Sequence, residues 1–264
     1  MDARTPIYDQ EHLQPIIGRL RDGNTCNMGL FFDKYLADYR IRNNDVELPQ
    51  RNEGPDFKAL QLDRLCKKMK GYGTVDRLLK STHERLDSIV ESQGGLKFEV
   101  SSVWNLVTGL GQPHPFETGF RWDYNLGLPV IPGSGIKGML GTWLRYYKSD
   151  RDSADRILGS KDKVGSCVFF DAYPRSRPGL VVDVMSVHFK EYYEDRRNSI
   201  EPSDYFDPVP IHFLTVAPGT SFVFRVVPRN NFSDDLAKVE KWMREALETI
   251  GFGAKTAVGY GRFK

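Results

Sequence analysis

The stretch from Gly127 to Lys148, GLPVIPGSGIKGMLGTWLRYYK, restricts this chain more than any other, because its prolines and glycines leave few ways to run the backbone. Pro129 and Pro132 hold φ near about −65° and disfavour helix in the residue before each. Leu128 and Ile131 are therefore expected to be extended, and a helix can begin only after Pro132. Ser134 is the natural N-cap, accepting from the amide of Ile136 or Lys137, while Gly133 and Gly135 carry no side chain to keep another backbone away. The helix is expected to bury Met139, Leu140, Trp143, Leu144 and Tyr147 on one stripe. It carries Lys137 in its first turn, with Arg145 and Lys148 later. A lysine there sits at the electrostatically unfavourable end unless an anion is present, and a phosphate would supply that charge. From Tyr124 to Ser149 there is no acidic residue although the chain has 35, so these cations lack acidic partners nearby in sequence. The plain alternative is a tight loop packed under a sheet. The spacing is not that of a nucleotide P-loop, since Gly138 follows Lys137 and no hydroxyl is placed for magnesium. The dinucleotide fingerprint, with its acid about 20 residues on, is absent too.

Composition narrows the function classes. A formal net charge of +2 over 264 residues is too small for blanket polyanion binding, so any nucleic-acid contact needs its positive charge gathered into a groove. No run approaches the ~18 apolar residues of a membrane span, and the start MDARTPIYDQ lacks the apolar core of a signal peptide. A cytoplasmic protein with no membrane partner is expected. The three cysteines, Cys26, Cys66 and Cys167, are too few and too scattered for a disulfide framework or a zinc knuckle.

Residues 1–95 read as a mostly helical region. Helices are expected over Asn24 to Arg40, from Phe57 to Lys70 with Phe57, Leu60, Leu65 and Met69 inward, and after a Thr74 cap with Val75, Leu78, Leu79, Leu86, Ile89 and Val90 inward. Residues 96–264 read differently. Leu96 to Leu106 is a strand with a bulge, and Gly165 to Tyr173 is a short buried strand. An inserted arm occupies about 174–207. Val209 to Val216 and Thr220 to Val227 read as a hairpin through Ala217, Pro218 and Gly219. A helix over Asp234 to Ile250 buries Leu236, Val239, Met243, Ala246, Leu247 and Ile250, and Thr256 to Phe263 reads as a last strand. The order strand, helix, strand, strand, helix, strand is that of an α+β, ferredoxin-like (RRM-like) domain, a four-stranded antiparallel sheet with two helices, here with a helical N-terminal addition and inserted loops. Such a sheet leaves its other face for partners.

The tail, IGFGAKTAVGYGRFK, has glycines at 251, 253, 259 and 261, each costing roughly 0.5–1 kcal/mol in the middle of an element. Lys255, Arg262 and Lys264 have no acid beside them there. The glycines either relieve crowding against Gly133 to Gly138 or, together with that loop, expose amides and lysines to a phosphate chain, and the two readings are compatible. The residues expected at a backbone-phosphate site are Ser134, Gly135, Lys137, Gly138, Arg145, Lys148, Gly253, Lys255, Thr256 and Arg262.

Catalytic machinery is not visible. The five histidines, His12, His83, His114, His188 and His212, have no metal-ligand spacing. His114, in the loop before the central motif, or His188, next to the arm Asp183-Val184-Met185-Ser186, would be the general base of a metal-independent ribonuclease, but no second acid–base group is placed beside either. Asp171, Asp183, Asp204 and Asp207 fall near strand ends, where single acids usually cap turns rather than gather a metal. No catalytic residue, metal or cofactor is expected.

Four pieces in order carry a resemblance to a known family. They are Asn27 to Tyr35 (NMGLFFDKY), Leu128 to Gly138 (LPVIPGSGIKG), Asp207 to Ile211 with Phe213 to Val216, and Gly251 to Thr256 followed by Gly259, Tyr260 and Gly261. The chain resembles the RAMP superfamily, and within it the branch supplying the sixth subunit of the Cmr complex of type III-B CRISPR systems. The resemblance implies a non-catalytic structural subunit near the 3′ end of a guide RNA. Its partners would be guide (CRISPR) RNA and the target RNA duplex, neighbouring RAMP subunits and a small helical subunit, with target cleavage in other subunits. Where many members carry an arginine late in the central helix, this chain has Gly141, which leaves Arg145 to substitute or the contact to be lost. On the binding reading, Lys137→Glu and Gly253→Asp weaken RNA association with the fold intact, and binding falls steeply with salt. On an enzyme reading, His188→Ala or Asp183→Ala stops cleavage. On a protein-only scaffold reading, Phe189, Tyr192 and Tyr193 matter instead.

Overall fold

The computed structural model describes residues 26–35, 40–42, 45–47, 57–188, 192, 195, 201, 207–229 and 235–264. In chain order the elements are α1 (Met28–Leu30, continued by a wider turn over Phe31–Tyr35), β1 (Arg40–Arg42), β2 (Asp45–Glu47), α2 (Phe57–Gly71) and α3 (Thr74–Ser92). There follow β3 (Leu96–Ser101), α4 (Gly133–Thr142, continued by a wider turn over Trp143–Tyr147), α5 (Arg151–Leu158), β4 (Cys167–Phe169) and β5 (Tyr173–Pro174). The chain ends through β6 (Leu180–Val187), β7 (Val209–Val216), β8 (Ser221–Pro228) and α6 (Leu236–Thr249). This is a mixed architecture of helices and antiparallel sheet, α+β.

Strand β8 is the hub. Its sequence, SFVFRVVP, is rich in β-branched and aromatic residues and is buried on both faces. β3 pairs one edge over the full length, from Leu96↔Val226 to Ser101↔Ser221. β4 and β5 share the other edge, with Phe169↔Val226 and Tyr173↔Val223. Between those two short strands the chain turns aside, and Ala172 instead exchanges both backbone bonds with Ile131, at 2.8 and 3.0 Å. That exchange carries the extended run before α4 onto the sheet edge.

The outer edge of β3 is taken by the C-terminus. Lys264 and Ser101 exchange backbone bonds at 2.9 and 3.0 Å, and Phe263 bridges Ser102. Thr256 to Phe263 is nevertheless not a strand, which corrects the sequence reading. A single turn of 3-10 helix covers Thr256–Val258, and Gly251, Gly253, Gly259 and Gly261 all have positive φ. Their conformation makes a tight, turning loop rather than an extended run, and only its last residues reach the sheet.

The expected hairpin is also corrected. β7 does not pair β8 but β6, in register from Leu180↔Val216 to Val187↔Val209. Both edges of β8 are already occupied, so β7 pairs over its full length with β6, also eight residues long. The turn at Pro218 and Gly219 is real, but it passes the chain between two sheets.

Nor does the sheet leave a face open. Phe98, Val100, Phe222, Phe224 and Val226 pack toward α6 and Phe263, with Phe98 and Phe224 stacked at 5.4 Å. The opposite face is covered by α3, whose Asp87 accepts from Arg225 at 2.7 Å and from Lys97 at 2.9 Å. Arg225 is 1% exposed, and it also donates to His83 Nδ1 at 2.8 Å, while His83 Nε2 donates to the Pro174 carbonyl. A charged residue in a central strand is tolerable because these groups meet it.

Other corrections are local. Ser134 and Thr74 do not cap; the caps are Pro132 and Gly73, neither with a side-chain bond. Asn27 does cap α1, accepting from Leu30 N at 2.9 Å, but the helix expected to reach Arg40 is replaced there by β1. Tyr147, Leu60, Leu78 and Ile89, expected inward, are exposed, whereas Ile136 and His83 are buried. The parts of the expected first helix at 24–25 and 36–39, most of the inserted arm beyond residue 188, and residue 234, where the last helix is expected to start, lie outside the described residues.

Removing Asp87 leaves the Arg225 charge buried with only neutral partners. Asp87→Ala should lower the unfolding free energy by about 3 kcal/mol in urea titration. A loss under about 1 kcal/mol would show that the ion pair does not hold α3 to the sheet.

Candidate functional site

The site is built around α4. Gly133, its first residue, donates its amide to Asp171 Oδ1 at 2.7 Å. Asp171 follows β4, and a Cβ on Gly133 would strike the Phe169 carbonyl, so the helix start is pressed against that strand end. The anion at the extreme N-terminus of the helix is therefore the chain's own carboxylate. Ile136 N returns to the Pro132 carbonyl, and the amides of Ser134 and Gly135 lie in the turn that no intrahelical acceptor serves.

The two glycine-rich loops meet. A Cβ on Gly135 would lie 2.8 Å from Cζ of Phe252, so the tail loop packs directly on the first turn of α4. None of the four tail glycines is crowded by the first turn of α4, however. Gly253 has φ +98°, and a Cβ there would strike the carbonyl of Val107. Gly251 and Gly261 are crowded by the tail's own backbone.

Two grooves flank α4. One, of about 620 Å³, is lined by Ser134, Lys137, Gly138 and Arg145 from the helix and by residues 158–165 of the loop after α5. The other, of about 600 Å³, runs between Gly135, Met139, Thr142 and Tyr147 and the tail residues Gly253, Thr256 and Arg262. The ten residues singled out in the sequence thus divide. Lys148 lies in neither groove; it pairs with Glu245 at 2.9 Å and covers Trp143. Lys255 turns toward the β6–β7 pair, with Nζ 3.6 Å from Met185 Sδ and over the Phe213 ring.

The cations of α4 are not all without partners, as sequence proximity had suggested. Arg145 pairs with Asp155 at 3.1 Å, across from α5, and Lys148 with Glu245 of α6. Lys137 is exposed and makes no ion pair among the described residues. Arg262 donates to the carbonyls of Glu248 and Thr256. A Cβ on Gly141 would sit 3.1 Å from Arg145 Nη1, so the guanidinium lies back over that glycine. Sequence reasoning missed Ser160, Lys161 and Lys163, which line the first groove. Their signal was the polar run Ser160-Lys161-Asp162-Lys163 closed by Gly159 and Gly165.

Of the groups weighed for catalysis, His114 and Asp183 are occupied. His114 stacks on Phe32 at 4.1 Å, donates from Nε2 to the Phe32 carbonyl and accepts at Nδ1 from Phe116 N. Asp183 Oδ2 accepts from Tyr260 at 2.7 Å and Asn105 at 3.1 Å, and Oδ1 from Val184 N. Burial works against its charge, but these bonds and Lys255 prevail and hold its pKa below the ordinary value. Tyr260 is in turn pushed up to about 12, first by burial and then by Asp183. His188 is exposed, Asp207 is exposed, and Asp204, Phe189 and Tyr193 lie outside the described residues. Among the described residues no three or more His, Cys, Asp or Glu gather as metal ligands, and no helix is long and apolar enough to cross a membrane.

A glycine-led helix seated on the edge of an antiparallel sheet, with a glycine-rich C-terminal loop packed on its first turn, agrees with what family comparison finds: residues 97–264 match the RAMP superfamily, to which this chain belongs. The chain is similar to the CRISPR system Cmr subunit Cmr6 of Pyrococcus furiosus, at 29% identity over 90% of this chain and 94% of that one. It is also 30% identical to the CRISPR system CMR subunit Cmr6 of Saccharolobus solfataricus over 56% of this chain and 49% of that one. In fold it resembles a chain of the type III-B Cmr-beta bound to cognate target RNA, with a TM-score of 0.67 over 97% of this chain and 96% of that one at 20% identity.

Two outcomes follow from the geometry. Gly253→Asp should destabilise the protein by about 2 kcal/mol or more, since it combines positive φ with a backbone clash, whereas Lys137→Glu should leave the melting temperature within about 1 °C. This replaces the expectation that both variants keep the fold; equal melting temperatures would refute it. Burial holds both His83 and His114 below the ordinary 6.5. The unfolded chain then protonates first as pH falls through 6.5, so their contribution is complete above that pH and is lost below it. Melting temperature should fall between about pH 7 and pH 5, and His83→Gln with His114→Gln should flatten that slope.

Proposed function

We propose that this chain is a structural subunit of a type III-B CRISPR RNA-guided complex, holding the sugar–phosphate backbone of guide RNA near its 3′ end while other subunits cut the target. The observation that carries the reading is the exposed, unpaired Lys137 at the start of a glycine-led helix, in an open groove rather than sealed in apolar packing. Similarity to Cmr6 proteins of two organisms supports the assignment to such a complex. Ser134, Gly135, Lys137, Gly138 and Arg145 are the α4 residues within reach of a strand, with Gly253, Thr256 and Arg262 across the second groove. Lys148 and Lys255 are secondary on this reading, because both are turned to other partners. Neighbouring RAMP subunits, a small helical subunit and the target duplex are the expected partners, in the cytoplasm.

The edge order C-terminus, β3, β8, β4, with every pairing antiparallel, supports the ferredoxin-like reading of residues 96–264, its last strand shortened to the residues around Phe263. The helices before residue 96 then form an addition packed on that domain. Against the ribonuclease alternative stands that both His114 nitrogens and both Asp183 oxygens are engaged.

Affinity purification of the tagged chain from its own cells tests the proposal. The chain should bring a discrete small RNA and several related subunits, and Lys137→Glu should lower the RNA recovered by about tenfold at moderate salt. Recovery as a free polypeptide, or with protein alone, would overturn it.

A further inference from the structure

The first groove holds three lysines from two separate segments with no acidic partner among the described residues. Lys137 comes from α4, and Lys161 and Lys163 from the loop after α5. The surrounding cations are neutralised in place: Arg145 by Asp155, Arg156 by Asp235 and Lys148 by Glu245. Folding has paired those three cations and left the three lysines of the groove without an acidic partner.

The loop that carries Lys161 and Lys163 is a built element. Gly159 and Val164 bridge across its base, and Ser160 N donates to the Lys163 carbonyl at 2.9 Å. Gly159, at φ +89°, and Gly165 press so closely that a Cβ on either would strike opposing backbone. A loop tied in this way presents its lysines at little further cost in conformational entropy. On the helix side Gly138 has nothing within 4 Å of where a Cβ would stand, so the wall beside Lys137 is bare backbone open to a strand. The groove contains one acid, Asp162, against Lys137, Arg145, Lys161 and Lys163. The second groove is different: its one cationic side chain, Arg262, is spent on two backbone carbonyls, and Met139, Tyr147, Ile250 and Phe252 line much of the rest.

We infer that the phosphates of a single RNA strand run through the groove between α4 and the 158–165 loop, with Lys161 and Lys163 as phosphate ligands beside Lys137, rather than across the junction of the two glycine loops. This rests on the RNA-binding reading above and goes further, since it names a side of the helix and two new ligands. Lysine serves phosphate as a point charge, and the three unpaired lysines of this groove offer a strand three such charges.

The test uses the full chain and a fluorescein-labelled mixed-sequence RNA of about 40 nucleotides, titrated from about 50 to 300 mM salt. Lys161→Glu/Lys163→Glu should weaken binding by about tenfold or more and lower the salt slope by about 1.4, the value for two phosphates lost from a single strand. Lys70→Glu/Lys241→Glu makes the same change in net charge on other surfaces and should stay within about twofold of wild type. Thermal melting checks that all variants fold. Equal losses from both double variants would reduce the effect to overall charge and overturn the groove. So would a silent Lys161→Glu/Lys163→Glu beside a strong loss in Arg262→Glu, although the proposed function would then survive. If RNA affinity persists while co-purifying subunits are lost, the groove seats an acidic protein segment and the inference is wrong. A wild-type chain that binds no RNA, alone or in particles from its own cells, would end both the inference and the reading beneath it.

Discussion

Strand β8 is claimed on both edges and both faces, and the positions of the other elements follow from that saturation. β3 takes one edge in full while β4 and β5 divide the other, so β7, next in sequence, is left to pair with β6. Phe222, Phe224 and Val226 bind one layer of helix, and Val223, Arg225 and Val227 face the other. Arg225 is the unusual member. Its charge is held by Asp87 and its Nη2 by His83, both on α3, yet Nη1 has no partner among the described residues. Breaking such a pair costs far more than its net worth in the intact fold, and this fixes α3 over a sheet face that would otherwise be open.

Saturating β8 also sets the position of α4. Because β4 and β5 share an edge, the residues between them are free to leave it, and Ala172 uses that freedom to bond Ile131. The next residue back, Asp171, reaches the amide of Gly133. One short excursion thus aligns the proline-bracketed run and supplies the negative charge that a helix start favours. An external anion is therefore not needed at the tip of α4. Charge that remains unmet lies along the helix flank, where Lys137 faces the loop carrying Lys161 and Lys163.

Much of this was legible in the chain. The prolines and glycines of Gly127 to Lys148 required an extended run followed by a helix after Pro132, and α4 begins at Gly133. The periodicity of Leu236 to Leu247 required a one-sided helix, and those residues are buried. The four tail glycines signalled a backbone that side chains could not follow, though their cause, positive φ within one loop, reads in sequence much like a strand relieved of crowding. Ser134 misled as a cap because the helix begins one residue earlier, at Gly133, which puts Ser134 inside its first turn and returns the Ile136 amide to the Pro132 carbonyl.

Local stereochemistry is what the sequence determined: where helices start, which faces are apolar, and that two acid-free glycine loops flank a lysine-bearing helix. Tertiary structure alone decided which strands pair, because pairing depends on which edges are still open once the earlier choices are made. It also decided which cations stay free, because Asp155 and Glu245 reach Arg145 and Lys148 from other helices. Partners distant in sequence cancel charge that looks unpaired on paper, and what survives the cancellation, at Lys137, Lys161 and Lys163, is a property of the folded surface.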